Sequence, residues 1–430
     1  MPRIYGEYLR VQRRVNSKIP TYNFLVFYTS AGLWNTCMGI FQVLLPLYAL
    51  SLGYSILEIS SLIALPVVAE IVTRLFGGAL SDRFGERKVL QVCFSLMVLA
   101  ALALSSATDY RLLLLAQTLA YFSRSIFWAS IQSLASQLGE LSLGKRLGRL
   151  SASNYGGSLI GQSFAGVAAA FFGYRKSFVL LTSLAVLGTF FSFLLPRLEP
   201  KPGHRSVWKI TVGIGHLLRY RRAWLAISAS YAAAIPLAVT VSAYPLYLAY
   251  LEYGEQWIGV AVSLRSLGPI LIGLLIGSWI TIARQKWIYA AGMAGLGVSL
   301  VGSGLTGNFA LLGLCIFVLG LAGSVMDLLN QVQATEWSDA DGRTVAMASM
   351  GLGWNFCPFL TPIIVGWIAE AQGFRFAFLA TGALFVLAAA GTGLWYRWLG
   401  AEAYALKTNR GEVSEAKLKS RPGNDIIVEP

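Results

Sequence analysis

Charge is scarce in this sequence. Only 13% of its 430 residues are Asp, Glu, Lys or Arg, about half the share of a soluble domain. The shortage is deepest on the acidic side, with 20 acidic residues against 34 basic ones. Histidine is scarcer still: His204 and His216 are the only two, and they share one polar stretch. The four cysteines, Cys37, Cys93, Cys315 and Cys357, stand singly in apolar runs with no CxxC among them. A His/Cys zinc centre needs several such ligands at short spacings and is excluded. The cysteines read as small buried side chains. Within the apolar runs there is no HExxH, no pair of aspartates and no histidine. An enzyme needs some such constellation, so neither catalysis, nor a metal, nor a cofactor is expected.

What the sequence has instead is apolar length. Hydrophobic residues make up 56%, and mean hydropathy is +0.62. A helix needs ~20 apolar residues to cross the hydrocarbon core of a bilayer. Twelve stretches reach about that length. Six fall near 23–51, 56–80, 89–107, 111–136, 150–172 and 177–196. Six more fall near 223–249, 257–282, 288–306, 309–331, 346–369 and 375–397. A backbone exposed to lipid must satisfy its own hydrogen bonds, so the spans are helices. The expected fold is an all-α integral membrane protein of twelve transmembrane helices. The net charge of +14 then belongs to the loops rather than to a nucleic-acid partner, and no nucleic acid is expected.

The basic residues are not evenly shared between the loops. With the N-terminus in the cytoplasm, 27 of the 34 fall on the cytoplasmic side and four on the other. Arg74, Arg124 and Arg265 lie inside spans. The positive-inside rule therefore places both termini in the cytoplasm. The expected organisation is a cytoplasmic N-terminal segment at 1–22, a six-helix bundle at 23–196 and a basic cytoplasmic linker at 197–222. A second six-helix bundle at 223–397 and a polar cytoplasmic tail at 398–430 complete it.

The two halves echo each other. GYRKSF at 173–178 returns as GFRFAF at 373–378, and SLIALP in span 2 resembles SLRSLGP in span 8. Such a six-plus-six repeat marks transporters, whose substrate sites lie at the interface of the repeats.

Between spans 2 and 3 the chain reads GGALSDRFGERK, residues 77–88. Gly78, Asp82, Arg83, Gly85, Arg87 and Lys88 resemble the cytoplasmic loop motif of the major facilitator superfamily, at the junction that the family uses. The resemblance implies two pseudo-symmetric six-helix bundles and alternating access. It also implies a gate in which Asp82 faces the positive N-terminus of span 11, near Gly342 to Val345. The bland alternative is a loop that is basic only because it is cytoplasmic. The equivalent second-half stretch, GSWITIARQK, lacks the aspartate. Two departures from the family pattern stand out. Gln117 occupies the approximate place of the usual span 4 arginine, and Gln162 that of the proline in span 5 of drug antiporters.

Ionisable groups inside spans are functional candidates by default. Glu70 sits ~15 Å above the cytoplasmic end of its span, at a level comparable with Arg124 in span 4. Glu70 pairs either with Arg124 at the cavity or with Arg74 one turn along its own helix. The first arrangement makes Glu70 and Arg124 the candidates for proton coupling. Gln117, Tyr121, Arg124 and Trp128 share one face of span 4, and Asn35 and Gln42 share one face of span 1. Spans 1, 4, 7 and 10 commonly line the cavity in the resembling family. Tyr231 in span 7, Arg265 in span 8, and Trp354 and Asn355 in span 11 complete the substrate-binding candidates. Tyr244 in span 7, and Asp327 and Asn330 near the cytoplasmic end of span 10, stand beside them. Pro66, Pro269, Pro358 and Pro362 are places where helices can bend.

The expectation is a monomeric, multi-pass transporter of the plasma (cell inner) membrane. It moves a small organic solute, is coupled to protons, and favours export. Its alternatives are an uptake permease for an organic anion and a receptor-like member of the fold that does not transport.

Overall fold

The computed structural model describes residues 21–138, 143–196, 221–275, 285–336 and 343–398. Side chains are described within these segments except at 21–23, 74–82, 143–144, 221–223, 273–275, 332–336 and 343–350. The expected linker and tail fall outside, apart from the first turn of span 7 at 221–222 and Trp398.

Every described element is helical. Span 1 is Thr21–Ser51, span 3 Glu86–Ser106 and span 4 Tyr110–Gln137. Span 9 is Gln285–Leu305, span 10 Phe309–Glu336 and span 11 Arg343–Gln372. Nine helices among the described residues are long and apolar enough to cross a membrane, or ten if the bent pair Phe374–Ala390 and Thr392–Trp398 is one span. The longest, Leu143–Phe193, contains a break at Gly173 (φ 74°, ψ 167°). Its 51 residues would measure ~75 Å if straight, far beyond one bilayer. It doubles back instead. Ser153 near its start bonds the Tyr28 carbonyl, and Arg87 bonds the Phe193 carbonyl at its end. Spans 5 and 6 are therefore residues 143–172 and 174–193. With Glu255–Leu275, whose continuation lies outside the described residues, each of the twelve expected spans is represented by helix.

Several spans are broken near a proline. Span 2 is Ile56–Ala64 followed by Pro66–Phe84. Span 7 is Arg221–Val241 followed by Ala243–Tyr250, three residues before Pro245. Span 8 runs through a 3-10 turn, Leu264–Ser266, just before Pro269. Proline has no N–H and crowds the carbonyl four residues earlier. For Pro269 that carbonyl belongs to Arg265. Pro358 and Pro362, by contrast, lie within a helix that continues through them.

The repeat expected from the sequence is present in the backbone. Gly85, Gly173 and Gly373 open spans 3, 6 and 12 in one conformation, with φ of 81°, 74° and 88°. Only glycine adopts it without strain. The turns after spans 1 and 7 also match, with positive φ at Gly53 and at Glu252. Tyr48 bonds the Ala107 carbonyl in the first half, and Tyr247 bonds the Thr306 carbonyl in the second.

Within the first half, span 1 packs on span 5 with backbone close to backbone. Gly157 faces Gly32, and Gly161 faces Thr36. Small residues permit that approach. In the second half, Gly353 of span 11 lies equally close to Ile227 of span 7. The halves meet through a second matched pair, span 5 on span 8 and span 11 on span 2. The two contacts are related by exchanging the halves.

Candidate functional site

We call distal the end of the bundle that carries the turns at 52–55, 107–109, 252–254 and 306–308. There the halves are joined by named contacts. The Leu57 N–H, in the first turn of span 2, donates to the Glu370 carboxylate on span 11 at 2.6 Å. Gly366 of span 11 is closed against Ser60. Across the other contact, the Ser163 and Ser263 hydroxyls are hydrogen-bonded at 2.8 Å. Tyr174 donates to the Glu255 carboxylate at 3.3 Å, and Gly166 and Gly259 bring spans 5 and 8 together.

Beyond this seal, between the halves, lies a cavity of about 470 Å³. Of the sequence-selected binding candidates, Asn35, Gln42, Arg124, Trp128, Arg265 and Trp354 line it. Asn35 is fixed to span 5, since its amide donates to Asn154 at 2.8 Å. Gln42 accepts from the Gln162 amide at 3.4 Å. Arg124 forms a 3.7 Å ion pair with Glu70 and lies 5.3 Å from the Tyr121 ring centroid. Arg124 is 5% exposed and Glu70 2%, so the pair is screened from bulk water. Glu70 stands behind Arg124 and is not itself on the wall. The helix around them is tied down, because the Ser125 hydroxyl donates to the Glu70 carbonyl at 3.1 Å.

The other four candidates stand off the wall. Tyr121 is buried against Arg124. Gln117 is buried on span 4. The Tyr231 hydroxyl is shared with Thr361 at 3.0 Å and ties span 7 to span 11. Asn355 is buried on span 11, one position beyond the lining Trp354. Tyr244 likewise bonds Ser303 of span 9 at 2.6 Å. A helical wheel finds a polar face, but these hydroxyls are used between helices.

Span 5 contributes residues that were not selected from the sequence. Asn154, Tyr155 and Ser158 line the cavity. Asn154, Ser158 and Gln162 are spaced by four, and that stripe was legible. Trp34 also reaches the wall, stacked on Phe127 with ring centroids 3.9 Å apart and donating to Ser123 at 3.0 Å.

On the second-half wall, Arg265 and Asp327 face the same space. Arg265 is 8% exposed, and its Nε has no hydrogen-bond partner. It is held in the 3-10 turn of span 8, whose backbone Gly320 of span 10 touches closely. Asp327 accepts from Gln331, one turn along its own helix, at 3.0 Å.

Of the loop motif, Gly85 supplies the positive-φ residue that opens span 3. Arg87 bonds the Phe193 carbonyl at the end of span 6. Arg83 is exposed over the Phe84 ring, and Lys88 is exposed. The Asp82 side chain and the surroundings of Gly78 lie outside what is described, as does part of the expected partner at 342–345. Glu86 was not singled out from the sequence. It is buried and accepts from Ser133 at 2.8 Å and from Gln137 at 2.5 Å, fastening span 3 to the end of span 4.

The fold is shared with solved transporters. The chain superposes on a mutant of the nucleoside transporter NupG with a TM-score of 0.78 at 14% identity. That match covers 87% of this chain and 99% of the other. NupG itself gives a TM-score of 0.73 at 13% identity, covering 87% and 98%. A POT family transporter in complex with 5-aminolevulinic acid gives 0.72 at 12% identity, covering 87% and 96%. At such identities the likeness is one of fold. No curated protein sequence matches the chain. The family model of the Major Facilitator Superfamily matches residues 27–257 and 237–424, nearly the whole sequence. The chain belongs to the major facilitator superfamily and has the fold of a multi-pass secondary transporter.

Proposed function

We propose that this protein moves a small organic solute across the plasma (cell inner) membrane by alternating access, driven by protons. The observation that carries the reading is the cavity between the halves, sealed at the distal end, with Arg124 on its wall and the buried Glu70 paired behind it. A sealed end opposite an internal cavity is one of the two states that alternating access requires. With both termini cytoplasmic, the distal end faces outward, so this is the state that exchanges solute with the cytoplasm. The bundles at 23–196 and 223–397 are the two rocking bodies, and 197–222 is the cytoplasmic linker between them.

Glu70 and Arg124 supply the coupling. A charge inside a span is tolerated when it is paired. Ionised Glu70 holds Arg124 in position for the solute, and protonation of Glu70 loosens that hold and releases the solute, so that proton and solute bind in turn. The proposed direction is export in exchange for protons. The test is uptake into proteoliposomes with an imposed pH gradient, loaded from either face. Glu70→Gln is expected to abolish gradient-driven accumulation while solute exchange without a gradient survives. Undiminished gradient-driven transport by Glu70→Gln would remove Glu70 from coupling.

A further inference from the structure

Resting on that transport reading, we infer that the solute is amphoteric: it presents an anionic group to Arg265 and a protonated amine to Asp327. Four observations converge. First, Arg265 is buried and lines the cavity, yet no described residue forms an ion pair with it and its Nε is unbonded. A buried guanidinium left uncompensated costs stability, so its retention on a cavity wall calls for a ligand. Second, the anion pole is reinforced. Arg124 and the Tyr155 hydroxyl are within electrostatic reach of Arg265. Third, Asp327 lines the same cavity and, among the described residues, is bound only by the neutral Gln331 amide. No described cation pairs with it either.

The fourth observation is the spacing. Arg265 packs at the level of Gly320 on span 10, and Asp327 is seven residues further along that helix. Seven residues correspond to ~10 Å. Arg265 and Asp327 form no ion pair with each other, yet both face one space, so a single molecule with opposite charges at its ends satisfies both. The Glu70–Arg124 pair is already neutral, so a solute without net charge leaves the whole cavity balanced. Trp128 and Trp354 add aromatic surface to the same cavity.

The experiment uses the purified full-length protein and two sets of size-matched probes. One set is 4-(aminomethyl)benzoate, 4-methylbenzoate and 4-methylbenzylamine. The other is 5-aminopentanoate, pentanoate and pentylamine. Binding is read from cavity tryptophan fluorescence and from ligand-induced thermal shift. A charge-assisted contact predicts that the amphoteric member of at least one set binds roughly tenfold tighter than its singly charged analogues. Arg265→Gln should bring its affinity down to that of the amine, and Asp327→Asn down to that of the carboxylate. Arg265→Lys should keep part of the preference. In the absence of ligand, Arg265→Gln should unfold at a higher temperature than the wild type, because an unpaired buried charge is gone.

Equal binding of singly charged and amphoteric probes overturns the inference. So does an unchanged preference in both variants, or no binding of either amphoteric probe. A less stable empty Arg265→Gln protein would mark Arg265 as a structural residue and overturns it too. Proteoliposome flux separates the two readings. Transport of uncharged solutes that persists in Arg265→Gln keeps the transporter and removes this substrate class. No flux of any solute removes the transporter.

Discussion

At the scale of the residue, the Glu70–Arg124 pair sets the energetics of the first-half wall. Both groups are buried, so neither is well solvated by water. Removing one partner of such a pair leaves the other uncompensated, at a cost of about 3 kcal/mol. Glu70→Gln alone should therefore lower the thermal stability of the purified protein. The double variant Glu70→Gln with Arg124→Gln should recover much of the loss, because a neutral pair leaves no buried charge. A double-mutant cycle by thermal unfolding measures the coupling, and strictly additive effects would show that the ion pair contributes nothing. The level match between Glu70 and Arg124 was legible in the sequence because helix rise converts sequence position into depth. The partners of Tyr231 and Tyr244 were not, because helical periodicity identifies a polar face without saying which helix packs on it. Asp327 was visible but unweighted, since nothing in one sequence shows that an arginine of span 8 without an ion-pair partner among the described residues faces the same space.

At the scale of the element, local chemistry decides where the spans stop and bend. The prolines foretold the breaks in spans 2 and 8 because a missing N–H and a ring clash act within four residues. They did not foretell the continuous helix through Pro358 and Pro362, which neighbouring helices hold in place. The matched turns give a sharper test. Gly173 takes a backbone conformation that is essentially glycine-only, and no atom would contact an added Cβ. Gly173→Ala should thus cost about 1–3 kcal/mol through backbone strain alone. At the turn after span 7, where the first half has Gly53, Glu252 already carries the positive φ (63°). Glu252→Gly trades that strain for greater freedom in the unfolded chain, and the two nearly cancel. Thermal unfolding of the two variants should show a clear loss for the first and little change for the second. The echo PLY at Pro46–Tyr48 and Pro245–Tyr247 passes unnoticed by eye until both tyrosines are seen bonding backbone carbonyls at equivalent turns.

At the scale of the whole molecule, the proposed transport cycle requires the two ends to open in turn. The membrane class, the spans and the six-plus-six layout were legible because apolar length and repeat spacing are one-dimensional properties. The distal seal was not, because it joins residues from opposite halves through small side chains and single hydrogen bonds that carry no local pattern. The loop motif marks the opposite end. If Asp82 latches that end, Asp82→Asn should impair transport severalfold and leave substrate affinity nearly unchanged, as measured by flux and by equilibrium binding on one preparation. A parallel loss of affinity would instead assign Asp82 to the solute site.

The central claim is that the distal seal opens during each cycle. Ser163 and Ser263 belong to opposite halves, and their hydroxyls are 2.8 Å apart. A Ser163→Cys, Ser263→Cys protein, made in a background without the native cysteines, can be oxidised to tie spans 5 and 8 together. The most direct measurement is solute flux in proteoliposomes before oxidation, after oxidation and after reduction. The account predicts that oxidation stops transport and that reduction restores it. Full-rate transport by the verified cross-linked protein would contradict it.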